Sequence, residues 1–304
     1  MSVKKIKQII TITVIVTIVL LIFSTVFFAV RYYKVNNKYN GVEALDKALN
    51  RGSITETEFE RLVSYLDSVD TEGTIAYQSL YEDLYVDNDF VYEEIDEESR
   101  TCYLTFDDGP TPGVTTEILD ILKALDVKAT FFVTYDDSEA AKEIYKRIVD
   151  EGHTIGIHTA SHDYEGIYRS VDDYLSDFDK ISKHVEQITG VKPEIFRFPG
   201  GSINEYNKHI HVQLISEMLR RGYTYYDWNV SASDAAEDKY DFYEIVNNVL
   251  NSSGEIKEKI VLMHDGDRNE HTVYALERII KGLQKQGYTL APLNKDVKPV
   301  IFSY

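Results

Sequence analysis

Between residue 101 and the C-terminus, short apolar runs alternate with longer stretches in which apolar residues recur every three or four positions. The runs are rich in β-branched and aromatic residues and predict strands, whereas the longer recurrence predicts helices. Strands are predicted at 102–106, 129–133, 153–157, 194–198, 223–228, 260–264 and 288–291, and helices near 115–125, 138–150, 170–189, 210–221, 241–251 and 271–286. This alternation predicts an α/β fold with a parallel sheet, closed like a barrel slightly smaller than eight βα units.

A different pattern occupies the start of the chain, where Ile9 to Val30 form an apolar run of 22 residues without a charge. A helix of this length crosses the hydrocarbon core of a bilayer, which is about 30 Å thick. Cleaved signal peptides have shorter apolar regions and a small-residue cleavage site, and Phe27-Phe28-Ala29 is a poor one. We therefore predict an uncleaved, single-pass anchor at 9–30, with cleavage as the alternative. Three basic residues flank this run on each side and do not set its orientation, so the cytoplasmic N-terminus at 1–8 is predicted from the expected chemistry of the body.

Residues 31–100 predict a stalk between this anchor and a domain at 101–304. Ser53 and Glu56 have capping-box spacing and precede apolar residues at helical intervals, which is typical of two short helices in this region. Residues 75–98 are acidic and rich in tyrosine, with no clear period. We interpret them as a spacer, and a partner-binding segment is the alternative.

The formal net charge of −19 is distributed unevenly along the chain. The first 40 residues carry six basic residues and no acidic residue, so the excess of acid lies entirely in the rest. An acidic body argues against nucleic acid as a partner, because phosphate binding requires lysine and arginine. The single cysteine, Cys102, excludes an internal disulfide.

Polar side chains follow the predicted strands at the point where each strand ends. They are Asp107 and Asp108, His158 and His162, Arg197, Asp227 with Trp228, and His264. Because the carboxyl ends of parallel strands meet at one face of a barrel, we expect these side chains to converge on a single site.

His158 and His162 lie four residues apart, a spacing that brings two imidazoles to one side of a helical or turn-like backbone. A carboxylate at another strand end completes a set of two histidines and one aspartate, which leaves coordination positions open for water and substrate. The residues alone therefore predict a catalytic metal site. One of Asp107 and Asp108 would be a ligand and the other a free base.

Five segments, "TFDDGP", "HTASH", "RFPG", "DW" and "LMHD", occur in this order between about residues 101 and 292. In order and spacing the chain resembles the polysaccharide deacetylases with a NodB homology domain, carbohydrate esterase family 4. The resemblance implies a distorted (β/α) barrel, here (β/α)7 from the seven predicted strands. It also implies one divalent metal ion, Zn²⁺ first, with Co²⁺, Ni²⁺, Mn²⁺ or Fe²⁺ as substitutes.

The resemblance also implies a role for each matching residue. Asp107 would be the general base, steadied by Arg197, and Asp108 would bind the metal with His158 and His162. His264 would be the general acid. The remaining matches are Asp227, which would support the acid, Trp228 and Leu262, which would line an acetyl pocket, and Pro199 and Gly200, which would contact substrate.

The chain departs from the family pattern in two places. Family members often carry an aromatic residue after the proline of the arginine motif, where this chain has Gly200 and Gly201. A main-chain donor survives there, but a side-chain wall of the sugar groove is lost. An acid that often precedes the aspartate-tryptophan pair is replaced by Thr224. Asp234 is therefore a second candidate for the carboxylate that supports His264.

The expected function is that of a membrane-anchored, metal-dependent deacetylase whose catalytic domain lies outside the cell and removes N-acetyl groups from an extracellular glycan. Peptidoglycan is the nearest such polymer for an anchored protein. The alternatives are a deacetylase of chitin-type oligomers, of an exopolysaccharide or of O-acetyl esters such as acetylxylan, and an inactive glycan-binding module. An aspartyl-phosphate phosphatase would have no use for the histidine pair.

Overall fold

The computed structural model describes residues 76–93, 99–235, 242–252 and 256–302. The predicted anchor at 9–30 and the two predicted stalk helices lie outside these residues and stay predictions. Within the described ranges, no helix combines the length and the apolar character needed to cross a membrane.

Eight strands and seven α-helices make up the described body, preceded by a single 3-10 turn at Ala76–Ser79. The strands are β1 (Thr101–Asp107), β2 (Thr130–Val133), β3 (Thr154–Ile157), β4 (Ile195–Phe196), β5 (Thr224–Tyr225), β6 (Val230–Ser231), β7 (Glu258–His264) and β8 (Thr289–Leu290). The helices are α1 (Val114–Ala124), α2 (Glu139–Asp150), α3 (Tyr164–Ile167), α4 (Val171–Thr189), α5 (His211–Arg220), α6 (Phe242–Leu250) and α7 (Glu270–Lys285).

Local sequence signals explain where the longest helix begins and ends. The hydroxyl of Ser170 accepts a hydrogen bond from the N–H of Asp173, which caps α4 at its N-terminus. Gly190 ends the helix in the left-handed conformation, with φ of 73°. Between them, the buried residues of α4 recur at helical spacing, so one face of this helix packs against the sheet.

All the strand pairs of the sheet are parallel, in the order β5-β4-β3-β2-β1-β7-β6, with β8 paired to β1. The edge strands β5 and β6 do not pair with each other in the described part of the chain, so the sheet is curled but open. Only residues 226–229 join these two edges, and such a connection spans at most about 18 Å. The prediction of a seven-stranded barrel is therefore corrected to an eight-stranded, barrel-like sheet.

Alternation along β1 and β7 separates two faces of this sheet. Cys102, Leu104 and Phe106 belong to the large core between the sheet and the helices, whereas Tyr103 lies in a second core inside the curl. The members of this inner core are Tyr103, Phe132, Ile195, Tyr226, Ile260, Leu293 and Val297. By the same alternation Asp107 ends the inner face of β1, and its register partner His264 ends that of β7.

The segment before β1 packs against the body. Leu84, Val86 and Phe90 are buried in the large core. The guanidinium of Arg221, 2 % exposed, donates hydrogen bonds of 2.8–3.2 Å to the carbonyl oxygens of Tyr77, Leu80, Tyr81 and Leu84. Residues 77–92 thus pack as part of the folded body, and not as the separate spacer that the sequence predicted.

We expect Arg221→Ala to lower the free energy of unfolding by about 3 kcal/mol, because four backbone carbonyl oxygens lose their donor and a buried carboxylate loses one of its two guanidinium partners. This carboxylate is that of Glu217, whose Oε1 lies 2.7 Å from Arg221 Nε and whose side chain is 1 % exposed. Urea denaturation measures the change. Arg169→Ala is the control, because its pair with Asp173 lies at the surface and should contribute little. Equal stability of the two variants would contradict the prediction.

Candidate active site

The turn after β1 sends two adjacent carboxylates in different directions. Asp108 has φ of 80°, in the left-handed region that aspartate tolerates better than most residues. The hydroxyl of Thr134 donates to the carbonyl oxygen of Asp108 over 3.0 Å, and the N–H of Gly109 donates to Asp265 Oδ1 over 2.9 Å. This network holds the turn, so Asp107 stays on the inner face of the sheet while Asp108 leaves it.

Asp108, His158 and His162 form a cluster of side chains that could hold a metal ion, with their ligand atoms within 4.8 Å of one another. Asp108 Oδ1 lies 3.6 Å from His158 Nε2 and 3.2 Å from His162 Nε2. This oxygen is buried and has no hydrogen-bond partner among the described residues. A divalent ion would satisfy it, and two imidazoles with one carboxylate are a ligand set that suits Zn²⁺.

The surroundings of His158 prepare its Nε2 atom for this role. Its Nδ1 lies 2.8 Å from the carbonyl oxygen of Arg197, an interaction that places a proton on Nδ1 and leaves Nε2 free. Burial lowers the pKa of His158 to about 3, and the nearby charge of Asp108 opposes this shift only in part. His158 is therefore neutral at physiological pH, as a metal ligand must be.

Asp107 and Arg197 form a fully buried ion pair on the inner face of the sheet. Arg197 Nη1 donates to Asp107 Oδ1 over 2.8 Å and to Thr105 Oγ1 over 2.7 Å. The guanidinium also donates to the carbonyl oxygens of Tyr226 and Asp227. Burial raises the pKa of Asp107 above its ordinary value, while the charge of Arg197 acts in the opposite direction. The pair orients a carboxylate whose Oδ2 lies 4.0 Å from His158 Nε2.

His264 is supported by Asp234. Its Nδ1 lies 2.8 Å from Asp234 Oδ1, and its backbone N–H donates to Asp234 Oδ2, also over 2.8 Å. Burial lowers the pKa of His264, but the hydrogen bond and charge of Asp234, with the charges of Asp107 and Asp108, outweigh it and raise the pKa to about 9. His264 is therefore protonated near neutral pH, with Nε2 left to face a substrate.

The prediction that Asp227 supports His264 is wrong, because the carboxylate of Asp227 is bound elsewhere. It accepts hydrogen bonds from the N–H and hydroxyl of Ser202 and from the N–H of Phe302. Asp227 is fully buried and connects the loop after β4 to the C-terminal residues. Its contact with the site is made by its carbonyl oxygen, which accepts from Arg197 over 3.3 Å.

The four residues predicted to contact substrate lie on different elements around this site. Leu262 lies on the inner face of β7 as the register partner of Thr105. Pro199 is buried and its carbonyl oxygen accepts from the hydroxyl of Tyr168, whereas Gly200 is exposed. Trp228 packs against the Phe302 ring and lies near Arg197. Its place beside Leu262 in an acetyl pocket stays a prediction.

Three polar residues of the site were not found from the sequence. Thr105 accepts from Arg197 and donates to the carbonyl oxygen of Val261. Thr272 donates to Asp234 Oδ2 over 2.7 Å. Asp265 accepts from both Gly109 and the Thr115 hydroxyl. Asp265 follows His264 directly, so the ends of β1 and β7 offered a signal for it, whereas the two threonines resemble ordinary strand and helix residues.

The family model for polysaccharide deacetylases matches residues 94–218. The chain is 33 % identical over 207 residues to the polysaccharide deacetylase-like protein YheN of Bacillus subtilis, covering 66 % of this chain and 70 % of that protein. It is 31 % identical over 203 residues to a peptidoglycan-N-acetylglucosamine deacetylase of Bacillus cereus, covering 66 % and 71 % of the two chains.

A solved structure also resembles this chain. The catalytic domain of the peptidoglycan N-acetylglucosamine deacetylase from Eubacterium rectale superposes with a TM-score of 0.65 at 34 % identity. The match covers 70 % of this chain and 97 % of that domain. Sequence, curled parallel sheet and site geometry agree, and the chain belongs to the polysaccharide deacetylase family with the NodB-type fold.

Proposed function

We propose that this protein is a metal-dependent hydrolase that removes N-acetyl groups from the amino sugars of an extracellular glycan, most directly peptidoglycan. The observation that carries the proposal is the pairing of Asp107 with His264 at the ends of β1 and β7, beside the cluster of Asp108, His158 and His162. A base and an acid thus flank three side chains that suit a metal ion. Relatives named as peptidoglycan deacetylases support the choice of substrate.

Asp108, His158 and His162 would hold one divalent ion, Zn²⁺ before Co²⁺, Ni²⁺, Mn²⁺ or Fe²⁺. An ion held there would polarise the acyl oxygen of the acetamide and lower the pKa of the attacking water. We assign the developing oxyanion to the backbone N–H of Gly200, an exposed residue in the loop after β4.

Asp107 would accept the proton of the attacking water. Its ion pair with Arg197 keeps the carboxylate charged and fixes its orientation, while burial keeps it basic enough to take a proton. Thr105 and the carbonyl groups around Arg197 hold the guanidinium in turn. The orientation of Asp107 is therefore set by groups of the protein and does not depend on contacts with the substrate.

His264 would protonate the departing nitrogen. An amine is a poor leaving group until it is protonated, so hydrolysis of an acetamide demands an acid that holds its proton at neutral pH. A pKa raised to about 9 by Asp234 meets that demand. An ester needs it less, because an alkoxide is a better leaving group than an amide anion, and this favours N-acetyl over O-acetyl substrates.

We also propose that the catalytic body lies outside the cell, where its proposed substrate is found. The apolar run from Ile9 to Val30 would anchor the chain, and residues 31–75 would separate the body from the membrane. A body outside the cell would then reach the cell-wall glycan.

The full-length protein, kept in detergent, is incubated with acetylated glycans, and the acetate released from each glycan is measured. Peptidoglycan, N-acetylglucosamine oligomers and acetylxylan are compared side by side, and mass spectrometry identifies the deacetylated sugar. We expect release from the N-acetylated glycans, loss of release after chelation, and recovery with Zn²⁺. Release from acetylxylan alone would favour the esterase alternative. Binding of glycan without release from any substrate would favour the inactive module.

A further inference from the structure

The loop after β4 contains two consecutive glycines in the left-handed region, Gly200 with φ of 75° and Gly201 with φ of 87°. A Cβ atom at Gly200 would lie 2.9 Å from Cε1 and 3.3 Å from Oη of Tyr164. The space into which a side chain at position 200 would extend is therefore already taken by the ring of Tyr164. The ring of Tyr164 therefore lies where an aromatic side chain from the loop would otherwise begin.

Tyr164 is held in this place by three aromatic contacts. Its ring meets that of His162, a proposed metal ligand, edge-on at a centroid distance of 5.2 Å and an angle of 88°. On another side it contacts the buried ring of Tyr168 at 6.1 Å. It also contacts the ring of Tyr206 at 5.0 Å. Tyr164 therefore lies directly between the metal-binding cluster and the open surface.

Tyr206 extends this aromatic surface outward and is 51 % exposed. Its backbone is fixed, because its N–H donates to Asn204 Oδ1 over 2.8 Å. Asn204 Nδ2 in turn donates to the carbonyl oxygens of Pro199 and Gly201. The two tyrosines thus form a continuous wall on ordered backbone, from the edge of His162 to the solvent.

We propose that Tyr164 and Tyr206 form the aromatic wall of the sugar groove and determine which glycan binds, in place of the side chain missing at Gly200. The inference rests on the proposed function in that the ligand is a chain of N-acetylated amino sugars. Sugar rings present C–H faces that pack well against aromatic rings, and such rings commonly line ligand clefts. Tyr164 contacts the sugar that carries the reacting acetamide, and Tyr206 contacts its neighbour along the chain.

Kinetics and binding on full-length variants test this wall. We expect Tyr164→Ala to raise KM for an N-acetylglucosamine oligomer at least 10-fold while kcat falls less than 3-fold, and Tyr164→Phe to stay close to wild type. Tyr206→Ala should raise KM about 3-fold for long oligomers and less for a disaccharide. Tyr85→Ala removes another exposed tyrosine, 52 % exposed, and should change neither constant.

Calorimetric binding of the glucosamine oligomer, which has no acetyl group to lose, separates this inference from the proposed function. Suppose that no acetate is released, but the oligomer binds and Tyr164→Ala weakens binding 10-fold. The role of the two tyrosines in binding is then supported, and the proposed deacetylation is wrong. Equal binding by wild type, Tyr164→Ala and Tyr206→Ala would contradict the proposal that these tyrosines bind the glycan. A wild-type protein that binds no oligomer would contradict it as well. Because Tyr206 is largely exposed, its variant decides the matter even if Tyr164→Ala does not fold.

Discussion

Asp107→Asn is expected to reduce kcat for deacetylation by about 10²–10⁴-fold, the usual contribution of a positioned general base. Asparagine keeps the shape of the side chain but cannot accept the proton of the attacking water. The same change leaves the guanidinium of Arg197, which is fully buried, without its carboxylate partner. We therefore also expect the free energy of unfolding to fall by about 3–5 kcal/mol.

Acetate release by folded protein, urea denaturation and metal content measure the three consequences separately. Metal content should stay close to wild type, because Asp107 Oδ2 lies 4.0 Å from His158 Nε2 and is not a member of the ligand cluster. Asp137→Asn is the matched control, since this carboxylate is 64 % exposed and should leave activity and stability unchanged. A variant of Asp107 that kept a tenth of wild-type kcat would rule out the residue as the base.

Asp234→Asn should shift the alkaline limb of the pH profile of kcat to lower pH. The pKa of His264 is raised to about 9 against the opposing effect of burial, with Asp234 first among the causes that raise it. Activity carried by protonated His264 is full well below this value and falls as pH rises through it. Without the Asp234 charge, His264 loses its proton at lower pH, and kcat near pH 8 should drop about 10-fold or more.

Asp227→Asn provides the comparison, because the side chains of both aspartates are buried and hydrogen-bonded but only that of Asp234 contacts His264. The Asp227 variant should lower stability while leaving the alkaline limb where it is in the wild type. The same linkage applies to stability. The folded pKa of His264 lies above its ordinary 6.5, so the contribution of the His264–Asp234 pair is full below about pH 6.5 and is lost as pH rises through about 9. An alkaline limb that moves in the Asp227 variant and not in the Asp234 variant would support the prediction from the sequence that Asp227 supports His264.

The alternation of apolar and amphipathic segments was enough to predict the parallel α/β fold, because a strand buried on both faces is a short continuous apolar run, whereas a helix on the sheet repeats its apolar residues every three or four positions. The strand β6, Val230–Ser231, was missed, because it follows β5 after only four residues and no helical segment separates the two strands. The segment 77–92 was interpreted as a spacer because what anchors it is not local. Its anchorage depends on Arg221, which lies far along the chain and donates to backbone carbonyls that any sequence would offer.

Asp107, Asp108, His158, His162 and His264 could be identified from the sequence because their positions are tied to strand ends and to a local four-residue spacing. The partner of His264 could not be identified in this way. Asp227 and Asp234 lie on the same stretch of chain, and which carboxylate reaches the imidazole depends on how residues 226–235 leave β5 and form β6, the strand that pairs with β7.

The amino-acid sequence by itself was sufficient to predict the α/β fold class, the family and the residues that we propose for the chemistry, because periodicity and short motifs are local properties of the chain. Only the tertiary structure decided which carboxylate supports His264 and which tyrosine fills the space beside Gly200. Those outcomes depend on distances between residues that are remote in sequence, and such distances exist only once the sheet has curled and brought its strand ends together.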